Sequence, residues 1–274
     1  MEATHTKPYI VVKIGGRPAS VPEVLDALVS DIGKLQAGSS NDSGRYSMVL
    51  VHGGGAVVSE LSKKLGLEPR FVAGIRQTSR PEMDVVEMVL AGSVNTRILR
   101  RFLAQKIPAV GLSGIDAGLF VSESIDPASD SRTGRVQKVD ATVVEDLSEG
   151  GYIPVISSVS SDAGGSGALN INADDAAMAI AVALKAERLI YLSDIPGILK
   201  NNEVMQRIDA TLAKTEIEAG TISGGMIPKV NSSLQAVASG VGAVVIGGFQ
   251  QSGDLAAFIE ARQGTSISNK TSSN

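Results

Sequence analysis

Short, nearly unbroken apolar runs alternate with amphipathic stretches along the whole chain. The runs Tyr9–Ile14, Met48–Val51, Ala109–Leu112, Ile153–Ser157, Arg188–Leu192 and Ala243–Ile246 are rich in β-branched residues and do not alternate with polar ones. Strands of that kind are buried on both faces, as in a parallel sheet. Between them, the spacing predicts helices near 22–36, 56–65, 82–106, 141–149, 174–186, 209–219, 228–239 and 254–262. Such alternation predicts βαβ units and an α/β fold, a three-layer αβα sandwich with a mainly parallel central sheet.

Glycines punctuate the strand exits: Gly15-Gly16, Gly53-Gly54-Gly55, Gly114, Gly197 and Gly247-Gly248. In an open parallel sheet the loops beyond the carboxyl ends of the strands form the ligand crevice. Three polar stretches read as connections. Ala37–Ser47 is an insertion between the first helix and the second strand, Ser160–Gly167 is a candidate separation between two lobes, and Gly264–Asn274 is a tail expected to fray.

Composition narrows the function classes. The length of 274 residues suits one large domain or two joined lobes, and 43% hydrophobic against 20% charged residues suits a packed core. No cysteine is present, which excludes disulfide scaffolds, thiolate metal sites and cysteine nucleophiles. With His5 and His52 the only histidines, a His-cluster zinc site is excluded too. A net charge of −4, no Trp, five Phe and four Tyr argue against a nucleic-acid partner. The longest apolar run, Ala176 to Leu184, falls far short of the roughly 20 residues of a membrane span, and MEATHTKPYI lacks a signal-peptide core. The expectation is a cytoplasmic protein with no membrane partner.

Phosphate and ester chemistry can be tested against the glycines. The only Gly-Lys pair, Gly33-Lys34, is followed by Leu35, so no Walker loop exists, and no strand-following cluster fits G-x-G-x-x-G. His52–Gly55 (HGGG) is also an esterase oxyanion sequence. That reading fails because Gly114 is followed by Ile115 and no histidine comes after His52 to complete a triad.

What remains is a set of anion-holding elements. Val11–Gly16 (VVKIGG) puts Lys13 in a buried strand with two glycine amides at its exit, an arrangement that can hold an anion. The alternative is a snorkelling edge-strand lysine. In Leu169–Leu184, Asn172 is an N-cap candidate with Asp174 and Asp175 in the first turn. A cap explains one of these residues, yet Asn170, Asn172, Asp174 and Asp175 crowd into six positions. Lys229 follows Gly224-Gly225 and Pro228 at the start of a helix, where a surface role is equally ordinary. Tyr191–Leu199 (YLSDIPGIL) runs a strand into a turn that fits a plain β-turn as well as a ligand loop.

Taken together, VVKIGG, HGGG, GIRQTS, EMVLAG, VGLSGIDAG, NINAD, YLSDIPGIL and GGMIPKV follow one order over residues 9–230. This series resembles the N-acetylglutamate kinase group of the amino acid kinase family. The resemblance implies the amino acid kinase fold, with an N-terminal amino-acid and dimerisation lobe over 1–165 and a C-terminal nucleotide lobe over 166–274. It implies phosphorylation of the γ-carboxylate of N-acetyl-L-glutamate by ATP, with Mg²⁺ held mainly by the nucleotide phosphates and no protein metal site. Lys13 and Lys229 match the lysines that stabilise the transferring phosphoryl group, and Asp174 matches the carboxylate that orients them. Gly54, Gly55, Arg76, Asn170 and Asn172 match substrate contacts. Gly15 and Gly16 match the loop over the phosphates. Asp194, Ile195, Pro196, Gly197, Ile198 and Leu199, with Thr221, Ile222 and Ser223, match the nucleotide segments.

Two departures stand out: Arg17-Pro18 follow the first glycine pair, and Gln77 follows the arginine where apolar residues are more usual. The closest rival is a relative acting on carrier-bound aminoadipate or glutamate, which tends to have an altered arginine loop and a basic surface. A non-catalytic sensor on the same fold would be expected to lose Lys13, Asp174 or Lys229. The short stretch before Tyr9 lacks an apolar stripe, so the resemblance predicts a homodimer without arginine feedback.

Overall fold

The computed structural model describes residues 7–38, 46–72, 74–165 and 167–269. Most of the Ala37–Ser47 insertion, His5 and the last five residues lie outside these.

In chain order the elements are β1 (Tyr9–Ile14), α1 (Gly16–Ser20), α2 (Pro22–Ala37), β2 (Ser47–His52), α3 (Gly55–Lys64), β3 (Arg70–Val72), β4 (Ile75–Gln77) and α4 (Arg80–Glu87). A π-helical stretch, Met88–Val94, leads into α5 (Asn95–Ala104), followed by β5 (Ala109–Ser113), β6 (Phe120–Ser124), β7 (Thr133–Val139), α6 (Thr142–Glu149) and β8 (Ile153–Ser157). Next come β9 (Val159–Asp162), β10 (Ala168–Ile171), α7 (Ala173–Ala183), β11 (Arg188–Leu192), β12 (Leu199–Lys200), β13 (Glu203–Val204) and β14 (Arg207–Ile208). The chain closes with α8 (Ala210–Glu218), α9 (Met226–Ala238), β15 (Ala243–Gly247), α10 (Asp254–Ile259) and β16 (Thr265–Ile267).

These elements form two compact units, one from residues 1–48 with 184–274, the other from 49–183. In the first unit, strands run in the order β14-β16-β15-β11-β1. β1, β11 and β15 are parallel, while β16 runs antiparallel to β15. The two pieces of chain are joined firmly. The carboxylate of Asp31 on α2 accepts from Ser252 Oγ (2.5 Å) and Gly253 N (2.7 Å), and Glu187 N donates to Tyr9 O (2.9 Å). In the second unit, β2-β8-β5 are parallel, and β10-β7-β6-β9 close into a small barrel of mixed direction. The α/β class and the mainly parallel sheet are as the apolar runs predicted.

All six predicted strands form, because runs such as Tyr9–Val12 and Met48–Val51 are buried throughout. Three stretches differ from expectation. Helix 82–106 is interrupted by the π-helical turns at Met88–Val94. Gly264–Asn274 begins as β16 rather than as a frayed tail: Thr265, Ser266 and Ile267 are buried between β14 and β15, and Thr265 Oγ1 accepts from Ile198 N (2.8 Å). Ser160–Gly167 is no linker. It carries the end of β9 and the turn into β10, within the second unit, where Asp162 N donates to Gly167 O (2.9 Å).

Candidate active site

The first unit gathers the cationic half of the predicted site. Every residue of β1 is buried except Lys13, which is half-buried. Its register partner across the parallel pair is Tyr191, so both side chains leave the same face of the sheet. The fully buried ring of Tyr191 also lies 5.0 Å beneath Lys229 Nζ, which reaches it from the first turn of α9. Two lysines 216 positions apart in sequence thus share one aromatic neighbour.

The glycines beside them lie against the tips of charged side chains. A Cβ on Gly15 would stand 2.9 Å from Lys13 Nζ, and one on Gly16 would stand 2.9 Å from Asp194 Oδ2. Gly16 also has φ +55°, the left-handed region that favours glycine. Asp194, Ile195 and Pro196 are exposed beyond β11, and Gly197-Ile198 are pinned by Thr265 of β16. Leu199 enters the β12–β13 hairpin. Thr221 is half-buried, Ile222 is buried, and Ser223 is exposed, between α8 and α9.

The second unit carries the predicted substrate residues. His52 ends β2 wholly buried, and desolvation lowers its pKa to about 4, so the ring is neutral. The Asn95 amide nitrogen donates to Val155 O (2.9 Å) and reaches His52 Nε2 (3.0 Å). Nε2 is then the acceptor, and Nδ1–H donates to Gly53 O (2.9 Å). His52 is therefore a strut under the glycine loop. Gly54 passes so close to the π-helical stretch that a Cβ would lie 2.7 Å from Leu90 Cδ2.

Arg76 on β4 is buried and held on several sides. Nη1 donates to Glu82 (2.6 Å), Nη2 donates to Gly55 O (2.9 Å) and Ser59 Oγ (2.5 Å), and the guanidinium lies 4.7 Å from the Phe71 ring centroid. Asn170 on β10 donates to Thr78 Oγ1 (2.9 Å), and Thr133 Oγ1 donates to Arg76 O (2.8 Å), so the barrel fixes the arginine loop. Asn172 accepts from Asp174 N (2.8 Å), the capping bond its position predicted, and Asp174 sits half-buried in the first turn of α7.

Sequence reasoning passed over Glu82, Ser59, Phe71 and Tyr191. Only Glu82 carries a legible signal, as the last residue of the capping-box pattern Ser79-Arg80-Pro81-Glu82. Among the described residues no three of His, Cys, Asp and Glu converge on a possible metal site.

A family model described as the amino acid kinase family matches residues 8–248. The chain belongs to the amino acid kinase family. Within that family it is 38% identical over 237 residues to the acetylglutamate kinase of Bacillus licheniformis, spanning 86% of this chain and 88% of the relative. It is equally identical over 246 residues to that of Methanopyrus kandleri, spanning 86% and 93%. Among solved structures, the Streptococcus mutans UA159 protein smu.665 is similar at 28% identity and TM-score 0.77, covering 96% of this chain and 99% of that one. The N-acetylglutamate synthase of Neisseria gonorrhoeae shares the fold at 23% identity and TM-score 0.81, this chain covering 60% of it.

Proposed function

We propose that this amino acid kinase transfers the γ-phosphoryl group of ATP to the γ-carboxylate of N-acetyl-L-glutamate, a step of arginine biosynthesis. Identity to acetylglutamate kinases over most of both chains supports the substrate. The observation that carries the chemistry is that Lys13 stands beside Tyr191 in the sheet while Lys229 Nζ lies 5.0 Å from that ring.

A carboxylate is already a nucleophile at neutral pH, so no general base is needed. The work left to the protein is alignment and neutralisation of charge between two anions. Lys13 and Lys229 act on the oxygens of the transferring group, and Asp174 orients the lysines. Gly15 and Gly16 present backbone amides beside Lys13 and Asp194. Asp194 to Leu199 and Thr221 to Ser223 hold the nucleotide. Mg²⁺, carried mainly by the nucleotide phosphates, supplies further neutralisation when bound. Gly54, Gly55, Arg76, Asn170 and Asn172, all in the unit of residues 49–183, bind N-acetyl-L-glutamate. The enzyme acts in the cytoplasm as a homodimer joined through the amino-acid lobe.

Purified protein with ATP and N-acetyl-L-glutamate should form an acyl phosphate that hydroxylamine traps as the hydroxamate. Free glutamate, aspartate and uridylate serve as parallel substrates. Equal or better turnover of free glutamate would overturn the assignment.

A further inference from the structure

Arg76 is a buried cation, and a buried guanidinium without a partner is costly and free to change rotamer. The structure surrounds it with a chain of polar partners. Ser59 and Ser62, three positions apart, lie on one face of α3. Ser59 Oγ accepts from Arg76 Nη2, Arg76 Nη1 donates to Glu82 Oε1, and Ser62 Oγ approaches that same Glu82 oxygen at 3.4 Å. Both partners of the ion pair are shielded from solvent, with side-chain exposures of 8% and 3%. Glu82 follows the helix cap Ser79, whose side chain accepts from Glu82 N. Its carboxylate is turned to Arg76 instead of back to the cap.

We infer that Glu82 is the positioning residue that fixes the Arg76 guanidinium for the substrate carboxylate, an inference that rests on the substrate reading above. Three of the five guanidinium donors are used by Glu82, Gly55 and Ser59, leaving two for a ligand. Phe71 backs the face of the plane. Gly55 and Ser59 take both Nη2 hydrogens and Glu82 takes one on Nη1, which stops rotation of the plane and leaves Nε–H and one Nη1–H for a ligand. Binding then costs little side-chain entropy. Glu82 itself touches no substrate.

The test compares wild type with Glu82→Ala and Glu82→Gln by steady-state kinetics, varying ATP and N-acetyl-L-glutamate separately. Glu82→Ala should raise KM for N-acetyl-L-glutamate about tenfold or more, with KM for ATP unchanged within about twofold. Glu82→Gln keeps an acceptor for Nη1 and should recover most of the loss. A purely structural role would move both KM values together with thermal stability and would overturn the inference, as would an unchanged KM in a folded Glu82→Ala. A second readout needs no turnover: the rate at which phenylglyoxal modifies Arg76, mapped by peptide mass spectrometry. Release of the guanidinium in Glu82→Ala should speed modification, and Glu82→Gln, which can be read even if the alanine variant fails to fold, should speed it less. Equal rates in wild type and Glu82→Gln, with Glu82→Ala folded and no faster, would overturn it. If wild type fails to phosphorylate N-acetyl-L-glutamate, the substrate reading falls, and the modification rates still decide whether Glu82 holds Arg76.

Discussion

Lys13 is the one residue of β1 that is not fully buried, and Lys229 reaches the same ring from a helix. Charges placed to meet a transition state act mainly on kcat. Lys13→Ala and Lys229→Ala should each remove about 3 kcal/mol of transition-state stabilisation, roughly a hundredfold in kcat, with much smaller changes in KM. Initial rates at saturating ATP will show it, and a folded variant with near-normal kcat would refute the role. His52 makes a different kind of prediction. The unfolded chain takes up a proton there near pH 6.5, the folded protein only near 4. Between those values the unfolded state binds more protons, so stability is complete above about pH 6.5 and falls as the pH drops toward 4. The loss is on the order of 3 kcal/mol. Urea denaturation from pH 7.5 to 4.5 should reveal a decline that His52→Gln blunts.

At the scale of elements, α5 and β5 approach through Gly111, where a Cβ would lie 2.1 Å from Asn95 Oδ1 and 2.7 Å from Leu99 Cδ1. Asn95 cannot yield, because its amide holds His52 and Val155. Gly111→Ala should therefore cost about 3 kcal/mol, read as a lower urea midpoint at unchanged slope. The parallel strands were legible because burial on both faces leaves an unbroken apolar run. The barrel strands were not. Thr133–Val139 buries only Thr133 and Gly134 and carries Arg135, Gln137 and Lys138, so it reads as polar connection until β6 and β10 pair with it. β16 was hidden in a Ser/Thr tail for the same reason: three residues become a strand only because β14 and β15 flank them. Motifs singled out Arg76, Asn170 and Asp174 as candidate site residues, yet nothing in their spacing revealed that Arg76 is clasped by Glu82 and Ser59. Those contacts join separate elements and leave no periodic trace.

For the whole molecule, the decisive feature is that the unit bearing both lysines is built from the two ends of the chain, and the other unit from its middle. Residue 13 finds its partner strand at residue 191. During synthesis, β1 leaves the ribosome as an apolar segment and must wait for β11, then for β15 and β16, before its sheet is whole. The middle unit has all of its residues available earlier. The unit that carries Lys13 and Lys229 is thus completed after the unit that carries Arg76. A premature stop anywhere before residue 188 leaves Tyr9–Ile14 without β11, a sticky strand edge offered to chaperones or to other nascent chains.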